Sequence, residues 1–444
     1  MSLQQAKATA LPELAKIATN FTLTEQANIA AIEAVVDTVT AAAAAPLFPF
    51  TKAIWSSYGK GESPLWFTDQ KTSVIGAAFA NSYTSAALDL DDGHRASRGH
   101  PGACIVPAVL AALEDLRAAG KSIDANKVLK AIAVGYEVSL RIAGAKNFYA
   151  RTGFWAGIAA AASVASLYEL PQDKFAHALA IAGETGPHMA TTTAGPAWPQ
   201  PNGTHVKEGI PWGVASGIAA VQFAQNGMHG PLDLVDHEPF FNPEYILAPG
   251  NRPMVCETYT KFQATCRHVH GPVEAVDALI RANEISPSEI TAVTVEAYSG
   301  ALRISNHSRP KTIVEAQYSI PYCVGLAAVK GLDVFLPMNE GDLGHQQAEA
   351  IAEKVLVRQS AEFEREFPAR TLCRVTIRTD KKEFVGSVTE PSGEANKRPT
   401  WIARLGKFET VTANSIPQAR REALLNAFES LKAANIEPLL NALE

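Results

Sequence analysis

The run from Trp155 to Glu169, WAGIAAAASVASLYE, is apolar on nearly every helical face and meets a charged residue only at its end. A helix lying on a protein surface keeps a polar face, so one apolar all round has to be enclosed by other helices. The first 270 residues supply those neighbours, with apolar positions recurring at helical spacing. Ile75, Phe79, Tyr83, Ala86 and Leu90 form one stripe, and Ile105, Val109, Leu113 and Leu116 form another that Gly120 is placed to stop. Thr24 is a suitable N-cap, and Asp173, after Pro171, suits a first helical turn. The run 125–145 is expected to be a further buried helix.

After about residue 285 the texture changes. ITAVTVEAY (Ile290 to Tyr298) and RVTIRTDKKEFVGSVTE (Arg374 to Glu390) alternate with the period of a strand, and DKK sits where a hairpin would turn. TIVEAQYSIPYCVGLAAVKG and QQAEAIAEKVLV read as helices between them, and the tail from Ser415 returns to helix. A chain of 444 residues exceeds what one hydrophobic core usually serves. The expected organisation is mainly α: a helical domain over 1–270, completed by C-terminal helices over 405–444, and a smaller α+β lid domain over 271–404.

Composition narrows the function. The net charge is -6, and no Lys/Arg block forms a stripe, which argues against nucleic acid as a partner. Lys7, Glu13 and Lys16 interrupt the N-terminal segment where a secretory signal needs an apolar stretch. The apolar runs Ala41 to Phe50 and Gly157 to Leu170 fall short of the roughly 20 residues that span a bilayer, so no membrane partner is expected. Five cysteines, odd in number and never at CxxC spacing, suggest free thiols and a cytoplasmic location. No dinucleotide loop, P-loop or GxSxG segment is present, which leaves chemistry without a cofactor.

Three segments are dense in groups that move protons or bind anions. LDLDDGHRASRGHPGA gathers Asp89, Asp91, Asp92, His94 and His100 ahead of a helix opened by Pro101. The free N–H groups at Gly102 would favour a carboxylate. The stretch admits a metal site, an acid/base site or a solvated polar loop, although it lacks HxH and HExxH spacing. NGTHVKEGIPWGVASG places Lys207 at a loop-to-helix junction. ETYTKFQATCRHVHGPVEA brings Lys261, Arg267, His268 and His270 ahead of an amphipathic helix, a charge pattern suited to a polycarboxylate or simply to helix capping. Cys266 beside Arg267 has no base at a fixed spacing to make it a nucleophile.

Taken in order, these segments resemble the MmgE/PrpD family. ALDLDDGHRASRGHPGACIVPAVLA is similar to its D-x-D-D-T-H…H-P signature, the two lysine segments to its own, and EAQYSIPYCVGLAAVKG to its A-x-F-S-x-P-Y helix. The resemblance implies a large helical domain with a smaller α+β lid, a homodimer, and proton transfer next to a substrate carboxylate without metal or organic cofactor. The family holds 2-methylcitrate dehydratases, cis-aconitate decarboxylases and an iminodisuccinate epimerase. By this resemblance Asp89, Asp91, His100, Lys207 and Lys261 are the catalytic candidates, with a desolvated lysine as base. His94, Arg267, His268, Gly102 and Tyr149 are the substrate-binding candidates, Arg267 as a carboxylate clamp.

Three departures bear on the reaction. Gly93 stands where the family commonly has threonine, and Trp155 where an F-H-P-T histidine is expected. Pro211-Trp212 replaces a frequent His-x-Gly. Losing a general acid weakens dehydration or decarboxylation more than racemisation, which needs only two groups on opposite faces of one carbon. The expectation is an epimerase acting on a di- or tricarboxylate. A lyase of the same family and a non-catalytic polycarboxylate-binding protein are the alternatives.

Overall fold

The computed structural model describes residues 9–45, 52–122, 124–187 and 206–444. The run that opened the reading above is the helix Gly153–Leu167, and it is enclosed as its composition requires. It packs against the helices Pro101–Ala118, Ala125–Gly144, Gln172–Thr185 and Ile210–Gln225. Its approach to Ile210–Gln225 is backbone to backbone: a Cβ on Gly217 would lie 2.2 Å from the Gly157 carbonyl oxygen. Small residues on both helices therefore fix where Ile210–Gln225 starts, and Lys207 immediately precedes it.

Local signals in the sequence act as expected at several helix ends. The Thr24 hydroxyl accepts from the Ala27 N–H at 3.2 Å and opens Glu25–Ala44. Pro101 occupies the first turn of Pro101–Ala118, and Gly120 follows that helix in the left-handed region at φ +74. Glu25–Ala44 is long and apolar enough to cross a membrane, a length the reading of apolar runs missed. Its most apolar window is 89% buried within the fold, the behaviour of a core helix.

A second apolar core forms around a four-stranded sheet. Ile290–Ala297 lies at its centre, parallel to Val355–Gln359 and antiparallel to Arg374–Thr379, which in turn pairs with Glu383–Val385. The strand Val355–Gln359 corrects the reading of QQAEAIAEKVLV as one helix. The helix stops at Ala352, because Val355 and Val357 find ladder partners in Val293 and Val295. The helices Arg267–Asn283 and Ile320–Lys330 contribute Val269, Val273, Val324 and Leu326 to this core. The protein is thus mainly α, with a smaller sheet-containing domain.

The C-terminal helices return to the first core, where Phe408, Leu424 and Phe428 are fully buried. Trp401–Val411 also brings charge inward. Lys407 pairs with Asp37 at 2.7 Å and donates to the Leu90 carbonyl at 3.0 Å, while Arg404 donates to the Thr260 hydroxyl at 2.9 Å. One helix therefore ties down two segments, at Leu90 and at Thr260, that flank the residues described next.

Candidate active site

The helix Val74–Ala86 ends three residues before Asp89, whose backbone is left-handed at φ +54. The chain then runs through buried carboxylates into a two-residue ladder, where Gly93 and His94 pair antiparallel with Tyr259 and Thr258. This ladder brings the first polar segment against the third. Lys261 donates from Nζ to the Asp89 carbonyl at 2.8 Å and lies 3.1 Å from Asp89 Oδ2. His100 closes the cluster, with Nε2 3.3 Å from Asp89 Oδ1 and Nδ1 3.3 Å from Asp91 Oδ1. Neither Asp91 oxygen accepts a well-aligned hydrogen bond from a described residue, so the imidazole is its nearest counter-charge.

Burial acts against every charge here, and the partners overcome it. Desolvation would raise the Asp89 pKa, but Lys261, His100 and Lys207 together hold it well below the usual carboxylate range. Burial would likewise neutralise His100, yet Asp91 and Asp89 outweigh both burial and Lys261 and lift its pKa above the ordinary imidazole value. Lys261 also stays above the usual lysine value despite burial, chiefly through Asp89. Desolvation therefore does not turn Lys261 into a neutral base, the role the sequence reading left open for it. It is held as an ammonium.

Lys207 differs. Its backbone is left-handed at φ 43, as is that of Glu208 at φ 59, and this pair delivers the side chain inward just ahead of Ile210–Gln225. The Glu208 carboxylate accepts the Thr152 N–H at 3.0 Å and so anchors the turn. The Lys207 residue is 5% exposed, and its Nζ lies 6.0 Å from the centroid of the Tyr318 ring. No ion pair or hydrogen bond joins that ammonium to a described residue. Lys207 also borders a cleft of about 1460 Å³ between the two cores, walled by Tyr83, Thr84, Thr312, Gln317 and Met338 among others.

The remaining candidates are not all brought to this cluster. The Gly102 N–H donates to Asp92 Oδ1 at 2.8 Å, so the helix start is capped by the protein's own carboxylate and offers no cradle to a substrate. Asp92 also accepts from the Tyr136 hydroxyl at 2.8 Å, and burial, with Asp37 and Asp91 nearby, raises its pKa to about 7. Arg267 is not a free clamp. It is buried, pairs with Glu394 at 2.6 Å, and donates to the Ser392 carbonyl at 2.7 Å. His94 accepts the Ser97 N–H at 3.2 Å on Nδ1, and burial lowers its pKa to about 4. His270 bridges Arg267 and the Thr265 carbonyl.

His268 bonds the Tyr298 hydroxyl at 2.7 Å, and burial lowers its pKa to about 3. Asp89 and Lys261 both act on its charge, which places it at the edge of the cluster. Tyr149 is 46% exposed. Cys266 is no thiolate, since burial pushes its pKa up to about 12. Among the described residues, no three His, Cys, Asp or Glu side chains converge as metal ligands would.

Tyr318 is the site residue the sequence reading passed over. Its hydroxyl donates to Asp89 Oδ1 at 3.4 Å, where the chain breaks between the helices Ile313–Gln317 and Ile320–Lys330. EAQYSIPY carries a helical pattern and the resemblance to A-x-F-S-x-P-Y, neither of which gives Tyr318 a role, and the break at Tyr318-Ser319 is the available signal. The Ser319 hydroxyl accepts from the Tyr322 N–H at 3.1 Å and starts a new helix there.

Comparison with known proteins gives a match to each part of the chain. The MmgE/PrpD N-terminal domain matches residues 13–245, and the MmgE/PrpD C-terminal domain matches residues 264–432. The chain belongs to the MmgE/PrpD family. Two curated relatives, both cis-aconitate decarboxylases of Aspergillus terreus and one of them from strain NIH 2624 / FGSC A1156, are each 26% identical over 407 residues. Each match covers 84% of this chain and 82% of the relative. The matched C-terminal range includes the helices that fill the first core, so the MmgE/PrpD C-terminal segment is shared between both cores in space.

Two of the three departures from the MmgE/PrpD pattern, Trp155 and Gly93, lie beside this cluster. Trp155 is fully buried, its indole N–H has no hydrogen-bond partner among the described residues, and its ring lies against Gly99, next to His100. An indole there has no proton to exchange at neutral pH. Gly93 sits opposite Tyr259, and a Cβ on it would lie 2.2 Å from the Tyr259 hydroxyl oxygen.

Proposed function

We propose that this protein is a cofactor-independent acid/base enzyme that removes and returns a proton α to a carboxylate of a di- or tricarboxylate. One observation carries the reading: a buried imidazole bracketed by two carboxylates lies beside a neutralised ammonium, Lys261, with a second ammonium, Lys207, free of described partners. Lys207 meets the substrate and, in its deprotonated form, takes the α-proton on one face of the reacting carbon. His100, held as an imidazolium by the Asp91 and Asp89 charges, returns a proton on the other face. Lys261 and the Tyr318 hydroxyl stabilise the enediolate charge that develops between them.

Epimerisation of the iminodisuccinate epimerase type fits this set, because Trp155 removes the acid that a leaving hydroxide or a decarboxylation carbanion would draw on. A second reading, decarboxylation, is favoured by the names of the two relatives. On either reading the chain is expected to work as a cytoplasmic homodimer on a small polycarboxylate.

Incubation of the protein with citrate-like and aspartate-derived acids in D₂O, followed by NMR, separates the outcomes. Deuterium at the α carbon with inverted stereochemistry is expected. A new alkene with release of carbon dioxide would replace the epimerase by the lyase. Binding without exchange in any acid would leave a polycarboxylate-binding protein.

A further inference from the structure

The residues opposite one another in the short ladder at the site are Gly93 and Tyr259. An unsubstituted residue opposite an aromatic one lets the ring lie flat across the partner strand. Here the overlap is complete: a Cβ on Gly93 would lie 2.2 Å from Tyr259 Oη and 2.3 Å from the ring carbon that bears it. The phenol thus occupies the volume that any other residue at position 93 would fill.

The ring is held from its faces by charge. The Arg95 guanidinium lies 4.8 Å from its centroid and that of Arg267 lies 4.7 Å away, the range of a cation–π contact. Glu394 pairs with both arginines, so neither is available to a ligand and both are fixed against the ring. The hydroxyl itself makes no hydrogen bond to a described residue, although the residue is only 6% exposed. Buried phenols normally have a partner. Lys261 follows two residues after Tyr259, in the segment that the ladder holds against Gly93 and His94.

We infer that Tyr259, whose hydroxyl stands where a side chain at position 93 would, donates a hydrogen bond to an anionic oxygen of the substrate. The inference rests on the carboxylate chemistry proposed above. Burial keeps the phenol protonated, while Lys261, Arg95 and Arg267 polarise its O–H bond towards an anion. Gly93 is then the partner that makes room for the donor.

The test uses the full chain and whichever acid exchanges its α-proton in the D₂O assay. Tyr259→Phe should exchange about 100-fold more slowly, the loss typical of one donor to a developing oxyanion. Its melting temperature should stay within about 1 °C of the parent, as for a change of less than about 1 kcal/mol in a protein of this size. Tyr259→Ala should lose at least as much, and Gly93→Thr added to Tyr259→Ala should regain about tenfold, by returning a hydroxyl to the emptied volume. A Tyr259→Phe protein with parental rates, or a double variant no faster than Tyr259→Ala, overturns the inference. Should the parent exchange no proton from any acid, the proton-transfer reading is what fails. Calorimetry with citrate then decides for Tyr259: about tenfold weaker binding by Tyr259→Phe supports it, and equal or absent binding in both proteins overturns it.

Discussion

The two lysines of the site are equally buried and differently employed. Lys261 lies in a segment that the Gly93–Tyr259 ladder and Arg404 pin to the helical domain, and Asp89 answers its charge with both side chain and backbone. Lys207 is presented by two consecutive left-handed residues at a helix start, touches no described acid, and shares the Asp89 charge only at longer range. A buried ion pair is part of the fold, whereas an ammonium beside a cleft, with no described acid in contact, is left to meet an anion. The difference separates a charge that builds the pocket from a charge that waits for a ligand.

Breaking each lysine should expose that difference. Lys261→Ala strands the buried Asp89 carboxylate and should cost about 3–5 kcal/mol of stability along with nearly all activity. Adding Asp89→Asn should recover most of the stability, read by chemical denaturation, and none of the turnover. Lys207→Ala strands nothing, so its melting temperature should match the parent within a few degrees. Its α-proton exchange should fall at least about 100-fold, and the thermal stabilisation that citrate gives the parent should vanish. If both variants lose stability alike, the contrast drawn between them is wrong.

A smaller effect concerns the carboxylates behind the lysines. Asp92 has a folded pKa of about 7, raised above its unfolded value by burial, Asp37 and Asp91. The folded state therefore holds a proton that the unfolded state releases, and this contribution to stability falls as pH rises from about 4 to 7. Asp92→Asn should flatten stability across that window, measured by denaturant unfolding at each pH. His100 has the same sign. Its folded pKa is raised, so its stabilising charge is fully present below the ordinary imidazole value and is lost as pH climbs through the folded one. Asp89 runs the other way, contributing above its unfolded pKa and failing only as pH drops well below it.

Much of this was legible in the chain. The all-apolar run at 155–169 required a bundle, the alternation at 290–298 required a sheet, and both formed. Asp89, Asp91, His100 and Lys261, drawn from segments some 170 residues apart, do converge. What the spacing of residues concealed was who already has a partner. Gly102 and Arg267 have the right chemistry for an anion, but Asp92 and Glu394 reach them first. Tyr318 escaped notice because a helical pattern on both sides hid the break that turns it inward.

The amino-acid sequence by itself determined the class of fold, the segments that carry charge, and the departures at Gly93 and Trp155. Periodicity and residue type are local properties, and they persist whatever the chain packs against. Only the tertiary structure decided which charges are neutralised within the protein and which are left for a substrate. That distribution depends on distances between segments far apart in the chain, and in a low-dielectric interior a few ångströms separate a salt bridge from a binding site.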